Sequence, residues 1–355
     1  MTQKSAIYQE LEARWRRGEP TVMDGGIGSE LQAMGYPQTV PAPGRNYTWG
    51  TMALYDAPEV VQAMHRRYVD AGADILLTNT FLFHRCVRLE QDGDLAVPAG
   101  TWHEKARLAV RLARQAAAEA GRPNVAVVFT MMIQDNPKSE WADNGSSASA
   151  KATAQWDERV SLDYLRELSG ALQEEPPDAL LVELAPPIPN DLSFPQYEVL
   201  LESGLPLWIA YRRAVGGPID LFGGTQGQDG DLLGRAAQRF EKMGVGALLV
   251  HCLPADKAHG VAPWLRQFTS LPLGVYPNNG QYDMWVWQWQ QALTPDQFAE
   301  HVRGYVAEGM NIVGGCCGVR PAHIAASAAA VKTQAPNGAA MPSDAQGEVQ
   351  GERNG

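Results

Sequence analysis

The chain has 355 residues, 45% hydrophobic and 19% charged, with a net charge of −11 and a pI near 5.1. That balance supports a large globular core and excludes a disordered chain. The acidic surface gives no electrostatic reason to bind nucleic acid or an anionic membrane. No apolar run reaches bilayer-spanning length, and Met1-Thr2-Gln3-Lys4-Ser5 is not followed by a secretory apolar segment. A cytoplasmic location is therefore expected, where spaced thiols serve as metal ligands or catalytic groups more often than as disulfides.

In chain order, Ile7 to Arg17 reads as a short amphipathic helix, and Thr21-Val22-Met23-Asp24-Gly25-Gly26 as a first strand ending in an acid and two glycines. Residues 32–56, with Trp49, lack periodicity and read as a long loop. Ala57-Pro58-Glu59 opens a helix to Ala71, since proline is favoured at a helix start, and Gly72 ends it. Ala73 to Asn79 is a second strand, followed by a loop around Cys86 and Asp92-Gly93. Trp102 to Ala120 is helical, Asn124 to Met132 is strand three, and Gln134 to Lys151 is a mobile loop. A helix over Ala154–Glu174 leads to strand four, Ala179 to Leu184; a short helix near Gln196 to Glu202 leads to strand five, Pro206 to Tyr211. After a loop with Gly223, Gly224 and Gly227, a helix from Asp231 to Met243 precedes the strand that closes on Cys252. Val261 to Thr269 is helical, strand seven is Leu273 to Asn278, and a loop with Trp285, Trp287 and Trp289 follows. Thr294-Pro295-Asp296 caps a helix to Glu308. Strand eight carries Cys316 and Cys317, and Pro321 to Lys332 is the last helix.

Short apolar strands alternating with helices predict parallel pairing through right-handed crossovers, and eight such units close naturally into a single-domain α/β fold, the (β/α)8 TIM barrel. The expected organisation is an N-terminal helical extension over 1–19, the barrel over 20–334 and a disordered tail over 335–355.

In this architecture the active site lies where the strands finish. Those ends supply Asp24, Asn79, Thr80, Glu183, Cys252, Asn278, Cys316 and Cys317. Three thiolates with one open position describe a catalytic zinc site, whereas inert buried cysteines are the plain alternative. Adjacent cysteines in a regular strand point to opposite faces, so Gly314, Gly315 and Gly318 are needed to let both sulfurs turn inward. Cys86 stands apart and reads as structural. Glu183, inside an apolar run, requires a cationic partner, either a substrate ammonium group or Arg212. Alternation turns His251 away from the barrel centre, as a packing or supporting group. The tryptophans read as packing or a lid.

Met23-Asp24-Gly25-Gly26-Ile27-Gly28-Ser29-Glu30-Leu31, Gly72-Ala73-Asp74-Ile75, Thr78-Asn79-Thr80-Phe81, Val250-His251-Cys252, Tyr276-Pro277-Asn278 and Gly314-Gly315-Cys316-Cys317-Gly318 together resemble the signature of the homocysteine S-methyltransferase family. The match in order and spacing runs over about residues 20 to 332. The resemblance implies a zinc-containing barrel that methylates the sulfur of homocysteine to give methionine. It implies Cys252, Cys316 and Cys317 as zinc ligands, Asp24 and Gly25 as the homocysteine-binding turn, Glu183 as the carboxylate holding the amino group, and Thr80 and Phe81 as the wall near the substrate. No general acid is implied, since an onium donor leaves as a neutral molecule. The chain departs from the family pattern at Phe129-Thr130-Met131-Met132-Ile133, where a Gly-Pro-Tyr-Gly type of segment is usual, and at His251, where asparagine is common. The donor therefore stays open between S-methylmethionine or S-adenosylmethionine, which are favoured, and betaine or another methylated onium compound. Asp256-Lys257-Ala258-His259-Gly260 lacks the spacing of a cobalamin motif. A different thiol or selenol acceptor, and a non-catalytic zinc-stabilised binding barrel, are the alternatives. A homo-oligomer is compatible with the sequence.

Overall fold

The computed structural model describes residues 4–36, 48, 50–133, 158–183, 188–189, 191–212, 232–283, 288–290 and 292–333. The readings for Trp49, the stretch 134–151, Gly223, Gly224, Gly227, Trp285, Trp287, the Trp289 side chain and the tail 335–355 lie outside these residues. Eight parallel strands form the core: β1 Thr21–Val22, β2 Ile75–Leu77, β3 Ala126–Met131, β4 Ala179–Val182, β5 Leu207–Arg212, β6 Ala247–Pro254, β7 Leu273–Asn278 and β8 Ile312–Val313. From β2 to β8 each strand pairs with its successor, and β8 pairs with β1. A parallel bridge between Met23 and Ile75 joins the two edges. Around the strands run α1 Ala6–Arg16, α2 Ile27–Ala33, α3 Ala53–Asp56, α4 Pro58–Asp70, α5 Phe83–Gln91, α6 Thr101–Glu119, α7 Glu158–Leu172, α8 Pro195–Glu202, α9 Leu232–Met243, α10 Val261–Leu265, α11 Pro295–Ala307 and α12 Pro321–Thr333. An antiparallel hairpin, Gln281–Asp283 with Gln288–Gln290, lies between β7 and α11. Among the described residues no helix is long and apolar enough to cross a membrane.

The period-two alternation of the strands sorts their side chains into two cores. Ile75, Leu77, Ala126, Val128, Ala179, Leu181, Trp208, Ala210, Ala247 and Leu249 fill the barrel interior. Their neighbours Leu76, Val127, Phe129, Leu180, Ile209, Leu248 and Val250 pack outward against the helices. α1 closes the N-terminal end. Its Tyr8, Leu11 and Trp15 join the interior cluster, with Trp15 and Trp208 ring centroids 5.8 Å apart. Ser5 caps α1 by accepting from the Tyr8 amide and also donates to Asp178 at the foot of β4. With the N-terminal end plugged by aromatic rings, the opposite, C-terminal end of the strands is the mouth at which strand-end side chains can form a site.

Several local expectations are revised. The stretch 32–56 is not one loop: α2 runs through Ala33 and α3 occupies Ala53–Asp56. The segment around Cys86 is helix α5, whose residues from Phe83 to Glu90 are all buried. Phe83, Cys86 and Val87 stand at helical i, i+3, i+4 spacing, and their burial carries His84, Arg85, Arg88 and Glu90 in with them. Cys86 itself packs against Met52 and Leu89, as a structural residue would. Conversely, the predicted capping of α11 is present in full, Thr294 and Gln297 forming a reciprocal capping box.

Candidate metal centre and active site

The Sγ atoms of Cys252, Cys316 and Cys317 all lie within 4.8 Å of one another at the mouth, each residue partly buried. Two backbone departures bring them there. β8 stops at Val313, so Cys316 and Cys317 stand in the turn beyond the strand rather than within it, and strand alternation no longer separates them. The turn is tied on several sides: the Cys316 amide donates to the Pro277 carbonyl at 2.7 Å, the Cys317 carbonyl accepts from the Asn279 amide at 2.9 Å, and the Gly315 amide donates to the Asp24 carbonyl at 2.9 Å. Gly318 closes the turn with φ of 76°.

On β6 the second departure is at Cys252 itself, with φ of 54° and a register shift between His251 and Pro254. Left-handed backbone in a non-glycine residue costs of order 1–3 kcal/mol and persists where the surroundings over-determine it. It also corrects the expectation for His251. Ala247 and Leu249 face the interior, so regular alternation turns His251 inward and Cys252 outward; the left-handed residue then brings the cysteine round to the mouth. His251 is buried, stacked on Tyr276 with ring centroids 4.8 Å apart, and its Nδ1 lies 3.9 Å from Glu183 Oε2.

Two carboxylates approach the same space. Asp24 is fully buried; its Oδ2 accepts the Leu77 amide at 2.9 Å, while Oδ1 has no hydrogen-bond partner among the described residues. Burial, with Glu183 adding to it, pushes the Asp24 carboxyl well above the usual range. Glu183 is buried to 8% exposure, and its Oε1 accepts the Thr130 hydroxyl at 2.6 Å. Burial, reinforced by Cys252 and opposed by Thr130, pushes Glu183 up to about 7. The Tyr276 hydroxyl is also buried without a hydrogen-bond partner among the described residues. Burial raises it, and the negative potentials of Glu183, Cys316, Cys252 and Asp24 add to that.

The donor set fits a thiophilic cation. Hydrogen bonding to Cys252 and Cys317, then burial, holds the Cys316 thiol well above its ordinary range, because three clustered sulfurs oppose each other's ionisation. A divalent cation among them would reverse that, and three thiolate ligands with a further open position suit zinc.

Of the remaining residues singled out in the sequence, Gly25 is held by close approach: a Cβ there would meet the Val319 carbonyl and stand 2.9 Å from the Tyr68 ring. Thr80 is fully buried with its hydroxyl donating to the Thr130 carbonyl, and Phe81 is half-buried beside it. The side chain of Arg212 lies outside the description. Within it, the near neighbours of Glu183 are Thr130 and His251. Sequence reading missed Thr130 and Tyr276. Their signal was parity: Thr130 continues Ala126 and Val128, so it faces inward at the top of β3.

A family model described as homocysteine S-methyltransferase matches residues 21–331. Homocysteine S-methyltransferase 3 of Zea mays is 25% identical over 323 residues, covering 87% of this chain and 89% of that protein. The selenocysteine methyltransferase of Astragalus bisulcatus is 26% identical over 322 residues, covering 86% and 90%. Among solved structures, the metallated homocysteine methyltransferase MmuM of Escherichia coli shares the fold with a TM-score of 0.60 at 21% identity, covering 88% of this chain and 96% of that one.

Proposed function

The chain belongs to the homocysteine S-methyltransferase family, and from that premise we propose that it is a zinc-dependent enzyme moving a methyl group from a small onium donor to the sulfur of homocysteine, giving methionine. The observation that carries the reading is the convergence of the Cys252, Cys316 and Cys317 sulfurs within 4.8 Å at the barrel mouth, next to two buried carboxylates. Cys252, Cys316 and Cys317 are the proposed zinc ligands. When bound there, zinc supplies a lowered pKa to a substrate thiol, so that sulfur is nucleophilic at neutral pH.

The side chains of this chain then bind and orient. Glu183 Oε2 is the proposed partner of the homocysteine ammonium group, a cation that answers the cost of a buried carboxylate. The turn at Asp24 and Gly25 receives the rest of the amino acid, and the unpartnered Asp24 Oδ1 supports a ligand contact there. Thr80 and Phe81 form the adjoining wall. In the transfer the homocysteine sulfur forms a bond to the methyl carbon as the bond from that carbon to the onium centre breaks. The donor leaves neutral, so no acid is needed, and catalysis rests on positioning two reactants. S-methylmethionine or S-adenosylmethionine is the favoured donor, with betaine-type compounds next. A selenol acceptor is supported by the similarity to a selenocysteine methyltransferase. A cytoplasmic setting suits the four free cysteines.

The test is a donor panel with homocysteine and zinc, read as methionine formation. Methionine from one sulfonium donor, lost in Cys316→Ser with the fold retained, is the expected result. No methionine from any donor would overturn the acceptor assignment.

A further inference from the structure

At the top of β2 and β3 threonine hydroxyls take over the backbone pairing at Thr130, and the Met132 amide returns to the Phe81 carbonyl at 2.8 Å just above. The Thr78 amide still pairs with the Val128 carbonyl at 3.0 Å. One step higher, the Thr130 amide donates to Thr78 Oγ1 at 3.2 Å, and the Thr130 carbonyl accepts from Thr80 Oγ1 at 2.5 Å. Thr78 Oγ1 and Thr80 Oγ1 are themselves 2.5 Å apart.

These contacts admit one direction. Each hydroxyl has a single proton. Thr80 gives its proton to the Thr130 carbonyl, so the proton between the two hydroxyls comes from Thr78. Thr78 in turn accepts the Thr130 amide. The backbone of Thr130 is thus gripped on both its donor and its acceptor, and the group left to act is its side chain. That hydroxyl donates to Glu183 Oε1 at 2.6 Å, while Glu183 Oε2 faces His251 at 3.9 Å. Thr78, Thr80 and Thr130 are all 0–1% exposed, so no water competes for these bonds.

We propose that Thr130 is a positioning residue for the acceptor amino group: held by Thr78 and Thr80, its hydroxyl occupies one oxygen of Glu183 and turns the other toward the ammonium of the amino-acid acceptor. The inference rests on the functional reading above and deepens it. It assigns selectivity for an amino-acid thiol over a plain thiol acid to a hydroxyl on β3, and gives Thr80 a supporting part through Thr130 in addition to lining the wall. A carboxylate that lost the Thr130 proton would be free to rotate, and its hold on the ammonium would weaken while the sulfur chemistry stayed the same.

The experiment uses the full zinc-loaded chain with two acceptors, homocysteine and 4-mercaptobutanoate, which has the same thiol and carboxylate without the amino group. In Thr130→Val, KM for homocysteine should rise roughly 10- to 100-fold, the range for losing a hydrogen bond to a charged group. KM for 4-mercaptobutanoate and kcat for both acceptors should stay within about two-fold of wild type, given that a missing uniform-binding contact moves KM alone. Thr130→Ser, which keeps the hydroxyl, should restore the preference for homocysteine. Thr130→Ala supplies the same comparison if the valine is not accommodated. Isothermal titration of homocysteine against each variant, with no donor present, should show the same loss. A Thr130→Val enzyme that keeps the wild-type preference, or that loses both acceptors equally, overturns the proposal. A wild-type enzyme that makes no methionine with any donor instead overturns the functional reading beneath it.

Discussion

Gly26 passes so close to Cys316 that a Cβ added to it would stand 2.6 Å from the Cys316 carbonyl oxygen. Real Cβ atoms are not found at that distance from a backbone oxygen, so one of the two backbone segments must move. The side chain of Ser29 lies on the same side and accepts the Gly318 amide at 2.9 Å, binding the start of α2 to the cysteine turn. The glycines after β1 therefore help set the position of the cysteine turn although they offer no ligand themselves.

Gly26→Ala should displace the Cys316 turn. Overpacking of this kind costs about 1–3 kcal/mol, and here the strain falls on a ligand-bearing segment. The expected outcome is a lower denaturation midpoint together with less than one zinc per chain after metal loading, measured by elemental analysis. Unchanged metal content in a destabilised variant would mean the turn absorbs the shift elsewhere.

Removal of the metal should separate activity from fold. The apolar interior between α1 and the strands closes without the three sulfurs, of which only Cys316 touches its edge. Chelator treatment should abolish methyl transfer and leave the far-ultraviolet circular dichroism intact, and zinc should restore the activity. Serine at Cys252, Cys316 or Cys317 should each reproduce the chelated state. Collapse of the fold on chelation would indicate a structural metal and count against catalysis.

Much of this arrangement is legible in the sequence, for physical reasons. Runs such as Val125-Ala126-Val127-Val128 and Gly246-Ala247-Leu248-Leu249-Val250 are short, apolar and bounded by breakers, so a strand is the element that buries them. Three cysteines at two strand ends suffice to suggest a shared point. What stays hidden depends on departures from regular geometry. The inward turn of His251 follows from counting parity from Leu249, but parity then places Cys252 outside, and only its left-handed backbone reconciles the two. Thr130 is hidden because a threonine inside an apolar run is ordinary in a strand; its role appears when Thr78, Thr80 and Glu183 arrive around it. α5 is hidden because His84, Arg85, Arg88 and Glu90 read as a solvated loop, whereas all four are buried.

Acid should weaken the protein through His65. It sits on α4, fully buried, and neither ring nitrogen has a hydrogen-bond partner among the described residues. Burial lowers it to about 3. An unfolded histidine titrates near 6.5, so the folded state binds the proton less readily than the unfolded one. The contribution is present in full above about pH 6.5 and is lost as pH falls toward the folded value, at about 1.4 kcal/mol per unit between the two. Urea midpoints measured from pH 7.5 down to pH 4.5 should fall, and His65→Leu should flatten that limb. A slope unchanged by the substitution would assign the acid loss to other groups.

The plug at the far end offers a test of whether the two ends of the barrel are independent. Trp208 Nε1 donates to the Tyr8 hydroxyl at 3.0 Å, a bond that links α1 to the interior of β5, and both side chains are fully buried. Burial drives the Tyr8 phenol far above its ordinary range, so it stays a neutral acceptor at every working pH. Tyr8→Phe keeps the ring and strands the indole N–H without a partner, which costs about 1–3 kcal/mol. Trp208→Phe removes that donor but opens a cavity, so it also destabilises. The double variant should lose less than the sum, because the stranded indole is gone, and the coupling measured by a double-mutant cycle should be about 1 kcal/mol. Methyl transfer at 25 °C should be unchanged in Tyr8→Phe, since Tyr8 sits at the N-terminal end of the barrel while Cys252 and Cys316 lie at the C-terminal end of the strands. A drop in kcat at full folding would show that the plug sets the geometry of the mouth through the strands.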